Sequence, residues 1–269
     1  MARWAPRRVI DLASALARYH FAEYITYRTE MYLWVTVGLL PLAMIFFWQN
    51  VEFPGDAEGA YAKSLTLYFI AIFVVRQLTT SVIIPEFDDF VTSGEFSYRL
   101  VRPLHPYWQF LVDQYMDPIF RLPAIAIWTG LVVVFLGAQD LVLNGDTTLA
   151  AVSLMLSLVV HYNLQFAMAC LAFWFERIRR LDYVQSILYF FLGGGFAPLA
   201  LLPEPLRTVA LWTPFPYTLG LPAEFLAGTT PQSVLLERLA VQGLWAVALI
   251  VLALGIYRIS IRRFSAVGG

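Results

Sequence analysis

The sequence predicts an all-α integral membrane protein with six transmembrane helices, on three observations. The first is composition: 59% of the 269 residues are hydrophobic and 14% are charged, where soluble domains carry about 25% charged residues. The mean hydropathy is +0.67, more apolar surface than a core of this size can enclose. The second is pattern, since apolar segments of bilayer-crossing length recur between short polar loops. The third is charge placement. Fourteen of the eighteen Lys and Arg residues fall in the segments that six crossings put on one side, which the positive-inside rule makes the cytoplasm.

The chain starts with an arm, 1–30, whose basic residues precede no continuous apolar run, so it does not read as a cleavable signal peptide. Val9, Leu12, Leu16 and Tyr19 recur at helical spacing opposite Arg8, Asp11, Ser14 and Arg18. That is the pattern of an amphipathic helix lying on a membrane surface. The first span is 31–48, with Pro41 as an expected kink. A polar loop carrying Glu52, Asp56, Glu58 and Lys63 follows, then the second span, 65–84, closed by Pro85. Further spans are expected at 119–138, 149–175, 183–202 and 239–257, with a charged turn at 176–182 and a basic tail at 258–269. The fourth is long enough to tilt.

Between the second and third spans lies the polar interruption 92–106, TSGEFSYRLVRPLHP. Thr92 and Glu95 have capping-box spacing, and Pro103 pushes its predecessor out of helical geometry. A helix over 93–102 is predicted, about 15 Å long and too short to cross a bilayer. Phe96 and Leu100 share a face while Glu95, Arg99 and Arg102 supply charge. A docking helix for a soluble partner and an ordinary interfacial loop both fit that pattern. The segment 203–228 is apolar but broken by Pro203, Pro205, Pro214, Pro216 and Pro222. It reads as two short helices dipping into the outer leaflet or as a proline-held surface hairpin, because irregular backbone at that depth needs cover from protein or a cavity.

A few residues could carry chemistry. Arg76 lies mid-span beside Gln77, Thr79, Thr80 and Ser81, at a depth where charge costs a few kcal/mol. It lines a cavity, bonds a neighbouring helix, or snorkels to headgroups. His161, Asn163 and Gln165 cluster in the fourth span; His161 and Gln165 share a face and Asn163 points elsewhere. One histidine without a carboxylate partner argues for interhelical hydrogen bonding, with Arg76 as a candidate partner, over general-base or metal chemistry. Gly193, Gly194 and Gly195 mark a hinge, a close packing site or a helix stop. The single Cys170 sits in an apolar run, which leaves no disulfide framework and no thiol metal cluster. No metal site and no nucleic-acid partner are expected. Trp34, Trp48, Trp128, Trp174, Trp212 and Trp245 fall mostly near span ends, as membrane-interface anchors do.

Two stretches resemble a known family. SGEFSYRLVRPLHP resembles a "G-x-x-x-x-x-L-x-R-P" loop, and GGGFAPLALLPEPLRTVALWTPFPYTLGLPAEFLAG a "G-G…P-L…L-P…L-P-F…P…G" outer region. Both belong to small, separately encoded permease subunits of ABC exporters of the type-2 class, and the resemblance covers essentially the whole chain. It implies a permease in a bacterial inner membrane, with both termini cytoplasmic and membrane lipids around it. It further implies a second permease, a heterodimer ahead of a homodimer, and a pair of ATPase subunits that bind ATP and Mg. On that resemblance the helix in 92–106 is the coupling helix: Phe96 and Leu100 enter an ATPase groove, and Glu95, Arg99 and Arg102 orient it. Arg76, Gln77, Thr80, His161, Asn163 and Gln165 line the substrate path or join helices. The cargo class stays open among lipids, glycans, peptides and small molecules, with the buried arginine favouring a negative or polar group.

The residues agree with this division of labour. A phosphate-cradling loop requires glycines ahead of Lys-Ser or Lys-Thr, but Ala57 and Ala62 occupy those places before Lys63, the single lysine. No cofactor is therefore expected in this chain, and no catalytic constellation identifies an enzyme. The alternatives are a secondary carrier, which calls for internal repeats and midplane carboxylates, or an intramembrane enzyme. Cysteines placed at Ser93 to Arg102 should label only from the cytoplasmic side of sealed cells; labelling from outside would overturn the topology.

Overall fold

The computed structural model describes residues 39–51, 60–136, 147–175, 177–228 and 230–264. The amphipathic arm 1–30, the start of the first span, the loop acids Glu52, Asp56 and Glu58, and the end of the tail lie outside the described residues. What is described is helical: α1 (Leu40–Gln49), α2 (Ala60–Thr79), α3 (Ile83–Thr92), α4 (Phe96–Val101), α5 (Pro106–Phe135), α6 (Thr147–Ala169), α7 (Arg179–Leu192), α8 (Glu204–Leu211), α9 (Phe215–Thr218), α10 (Gly220–Ala227) and α11 (Gln232–Ser260).

Three helical stretches are long and apolar enough to cross a membrane, Tyr61–Thr92, Thr147–Phe173 and Gln232–Arg263. A fourth arises if the two halves of α5, bent by 41° between Met116 and Arg121, count as one span. Pro118 and Pro123 stand at and just past that bend, where each removes a ladder N–H and crowds the preceding turn. The fourth expected span matches α6 and its 3₁₀ extension closely. The fifth does not form one long helix: α7 has 14 residues and ends at Gly193. The described part of the first span is α1, with Pro41 in its first turn.

The second span differs most from expectation. It is broken over Thr80–Val82, so Pro85 stands in the first turn of α3 and terminates nothing. The hydroxyls of Thr79 and Thr80 donate back to the carbonyls of Val75 (2.8 Å) and Arg76 (2.6 Å), sharing carbonyls with the helix ladder at its end. Across the break, the Val82 N–H donates to Gln114 Oε1 at 2.8 Å. A helix can stop here because α5 supplies the missing acceptor.

Two apolar clusters hold the fold, one at each end of that break. The first packs Tyr68, Phe69, Ile72, Phe73 and Val75 of α2 against Ile45, Leu219 and Ala223. The second gathers Phe87 of α3, Phe96 of α4, Phe110 of α5, Phe166 of α6 and Tyr257 of α11. Phe96 is fully buried, with ring centroids 5.0 Å from Phe87, 5.2 Å from Phe173 and 5.5 Å from Phe264. Between membrane helices, small residues and hydrogen bonds do much of the joining. Gln242 of α11, fully buried, donates to the carbonyls of Ser153 (2.9 Å) and Tyr217 (2.7 Å) and accepts from the Ser153 hydroxyl (3.0 Å).

The segment 203–228 holds three short helices where two were expected, and α9 and α10 lie inside the helix packing, covered by α2, α6 and α11. An ion pair between buried Glu224 and half-buried Arg238, at 2.8 Å, ties α10 to α11. Close packing is what the glycines permit. Gly194 has φ +93°, and its carbonyl accepts from the Tyr68 hydroxyl at 2.9 Å. A Cβ there would overlap that same hydroxyl. Gly194→Ala should therefore lower stability by about 2 kcal/mol or more, read as a fall in the unfolding temperature of the purified protein. An unchanged temperature would show that the turn relaxes freely.

Candidate functional site

Two places in the fold concentrate chemistry: the short helix α4 and a polar cavity at the break in the second span. At α4 the local structure differs from the capping-box expectation. Thr92 ends α3, its hydroxyl donating to the Asp88 carbonyl at 2.8 Å. Gly94 turns the chain at φ +78°, and α4 itself is six residues, Phe96–Val101. Its position is set by Arg99, 6% exposed, whose guanidinium donates to Glu86 of α3 (2.9 Å) and Asp113 of α5 (2.7 Å). That plane lies 4.2 Å from the Phe90 ring centroid and 4.1 Å from that of Phe110, cation–π contacts. Gln109 completes the fastening by donating to the carbonyls of Arg99 (2.7 Å) and Leu104 (2.6 Å).

The N-cap of α5 belongs to the same block. His105 Nδ1 accepts from the Tyr107 N–H at 3.2 Å, which requires a neutral imidazole. Burial, helped by the Arg258 charge, holds the His105 pKa below its usual value.

This geometry divides the expected coupling residues into two groups. Phe96 and Arg99 face inward and anchor α4 to its own chain, so Phe96 is not free to enter a groove on another protein. Glu95, Leu100 and Arg102 face outward. Beside them stand Tyr98, 68% exposed, and Val101, 82% exposed, which sequence reasoning passed over. Their exposure follows once Arg99 is known to point inward, because residues one or two positions away on so short a helix must point out. The charged turn after α6 also serves its own chain: Arg179 pairs with Asp89 at 2.7 Å, and the Ile178 N–H donates to Asp88 at 3.2 Å.

The cavity has a volume of about 150 Å³ and is lined by the second span, α6 and α7. Arg76 comes from α2, Thr80 and Ser81 from the break, His161 and Gln165 from α6. The shared face expected of His161 and Gln165 is the one turned to Arg76. Asn163 lies elsewhere, accepting from the Tyr107 hydroxyl at 3.0 Å. Gln77 is buried but does not line the cavity. From α7 come Asp182, Gln185 and Tyr189, with Gln165 within hydrogen-bonding reach of Asp182. The Tyr189 ring lies 4.8 Å from that of His161 and its hydroxyl 3.4 Å from Thr79 Oγ1. These α7 residues were missed by sequence reading, although positions 182, 185 and 189 form a polar stripe at helical spacing. Among the described residues no three His, Cys, Asp or Glu side chains converge as metal ligands.

Arg99→Met should destabilise the protein by about 2 kcal/mol, because it removes the buried cation that Glu86 and Asp113 share. Thermal unfolding checks this, and an unchanged midpoint would remove the clamp.

No curated protein matches the chain. Its sequence does match the family described as ABC-2 family transporter protein, over residues 28–268. With apolar crossing helices, a polar break inside one of them and a helix fastened to its end, the chain is a membrane component of an ABC transporter and belongs to the ABC-2 transporter family.

Proposed function

We propose that this chain is one of two permease subunits of an ATP-driven exporter. A second permease, a different one ahead of a copy of itself, completes the path. Separate ATPase subunits bind ATP and Mg and supply the work. The chain crosses a bacterial inner membrane six times with both termini in the cytoplasm; α1 and α7 belong to the first and fifth crossings. The observation that carries this reading is the outward face of α4. Tyr98, Leu100 and Val101 present apolar surface beside Arg102, on a helix clamped to the ends of two crossing helices through Arg99. A docked ATPase would push on α3 and α5 directly, because the clamp leaves α4 no independent motion.

Coupling therefore rests on Tyr98, Leu100, Val101, Arg102 and Glu95 as contacts, with Phe96 and Arg99 as anchors. The cavity at the break lies on the proposed cargo path. Full-length protein purified from its native membrane should bring a P-loop ATPase with it, and Leu100→Asp with Val101→Asp should lose that ATPase while the permease stays folded. If the double variant retains its ATPase and full nucleotide hydrolysis, α4 is not the docking element.

A further inference from the structure

The cavity between α2, α6 and α7 holds more unanswered polar atoms than helix cohesion requires. Nine buried side-chain polar atoms among the described residues lack a hydrogen-bond partner in the chain, and six of them line this one cavity. They are Arg76 Nη1, Ser81 Oγ, His161 Nδ1, Gln165 Oε1 and both amide atoms of Gln185. Gln185 is 1% exposed, His161 and Ser81 3%, and Gln165 4%. Each unmet buried group costs about 1–3 kcal/mol, and folded proteins leave few of them. Six around one space are better explained by a ligand than by accident.

We propose that this cavity binds a singly charged anionic oxygen group, a carboxylate or a phosphate diester. Arg76 supplies the countercharge, and the Ser81 hydroxyl and the Gln185 amide nitrogen supply neutral donors. A volume of about 150 Å³ suits one small polar group and not a large molecule. Asp182 also lines the cavity and faces Gln165. With Arg76 and Asp182 both present the lining has no formal net charge, which favours a monoanion over a dianion. This inference rests on reading these helices as a cargo path, and it names the group the path grips.

The test is saturable binding of radiolabelled dodecanoate to the full-length protein in nanodiscs, with empty nanodiscs subtracted. Arg76→Gln should weaken binding about tenfold or more, the loss of one charge-assisted contact. Gln185→Leu should weaken it several-fold. Asp182→Asn should tighten it, a direction that a merely structural role would not produce. Dodecanol and dodecyltrimethylammonium should not displace the probe. Displacement by acetate at similar concentration would support the anion site and assign it to a free anion; no displacement would support an amphiphile headgroup. Equal binding by wild type, Gln185→Leu and Asp182→Asn, or equal displacement by dodecanol, would overturn the proposal. Should Arg76→Gln elute aggregated, the other two variants decide. Failure here, with ATPase association intact, would remove the ligand and leave the transporter reading standing.

Discussion

The Arg99 guanidinium is the contact on which the arrangement around α4 depends. One planar cation satisfies carboxylates on two different helices, Glu86 and Asp113, while the rings of Phe90 and Phe110 stack against it. Arginine is suited to this because its donors sit in a fixed fork and its plane is weakly hydrated; a lysine would offer a single point of charge. The second apolar cluster reinforces the same joint through Phe96. The ends of α3 and α5 and the whole of α4 therefore behave as one block.

The polar cavity is the counterpart of that block. Along the second span the first cluster ends at Val75 and the second begins at Ile83, and the cavity residues Arg76, Thr80, Ser81 and Val82 lie between them. From Ile178, which caps α7, the order repeats, with Ile178 in one cluster, Tyr189 in the other, and Asp182 and Gln185 between. Apolar packing thus encloses a polar layer without filling it. Broken backbone at such depth is tolerated where protein covers it or a cavity admits polar groups, and the break at Thr80–Val82 meets both conditions.

Crossing segments were legible where apolar runs were long and uninterrupted, as in α6 and α11. They were misread where a residue's meaning depends on a distant partner. Pro85 reads as a terminator in isolation, yet prolines also open helices, and Gln114, far along the chain, decides which occurs. The first half of α5 was overlooked because Gln109, Asp113 and Gln114 interrupt its hydropathy; each is committed to the block around Arg99 or to the break. Thr92 and Glu95 have capping-box spacing, but a threonine hydroxyl at a helix end can equally bond backwards, and Gly94 at positive φ settles the matter. The face shared by His161 and Gln165 followed from spacing, and Arg76 was set beside it by its depth in the second span. Its α7 wall did not, since three polar residues in a short amphipathic helix resemble an ordinary surface.

The interruption at Thr80–Val82 has a mechanical consequence. Below it α3 is locked to α4 and α5; above it α2 is packed against α10 and held to the Gly194 turn by Tyr68. Neither half can bend internally without stripping a buried aromatic cluster, so a swing of one relative to the other has its fulcrum at these three residues. The side chains best placed to feel that swing are Arg76, Ser81 and their neighbours around the cavity. The proposed ligand and the proposed docking face of α4 would therefore act on a single joint.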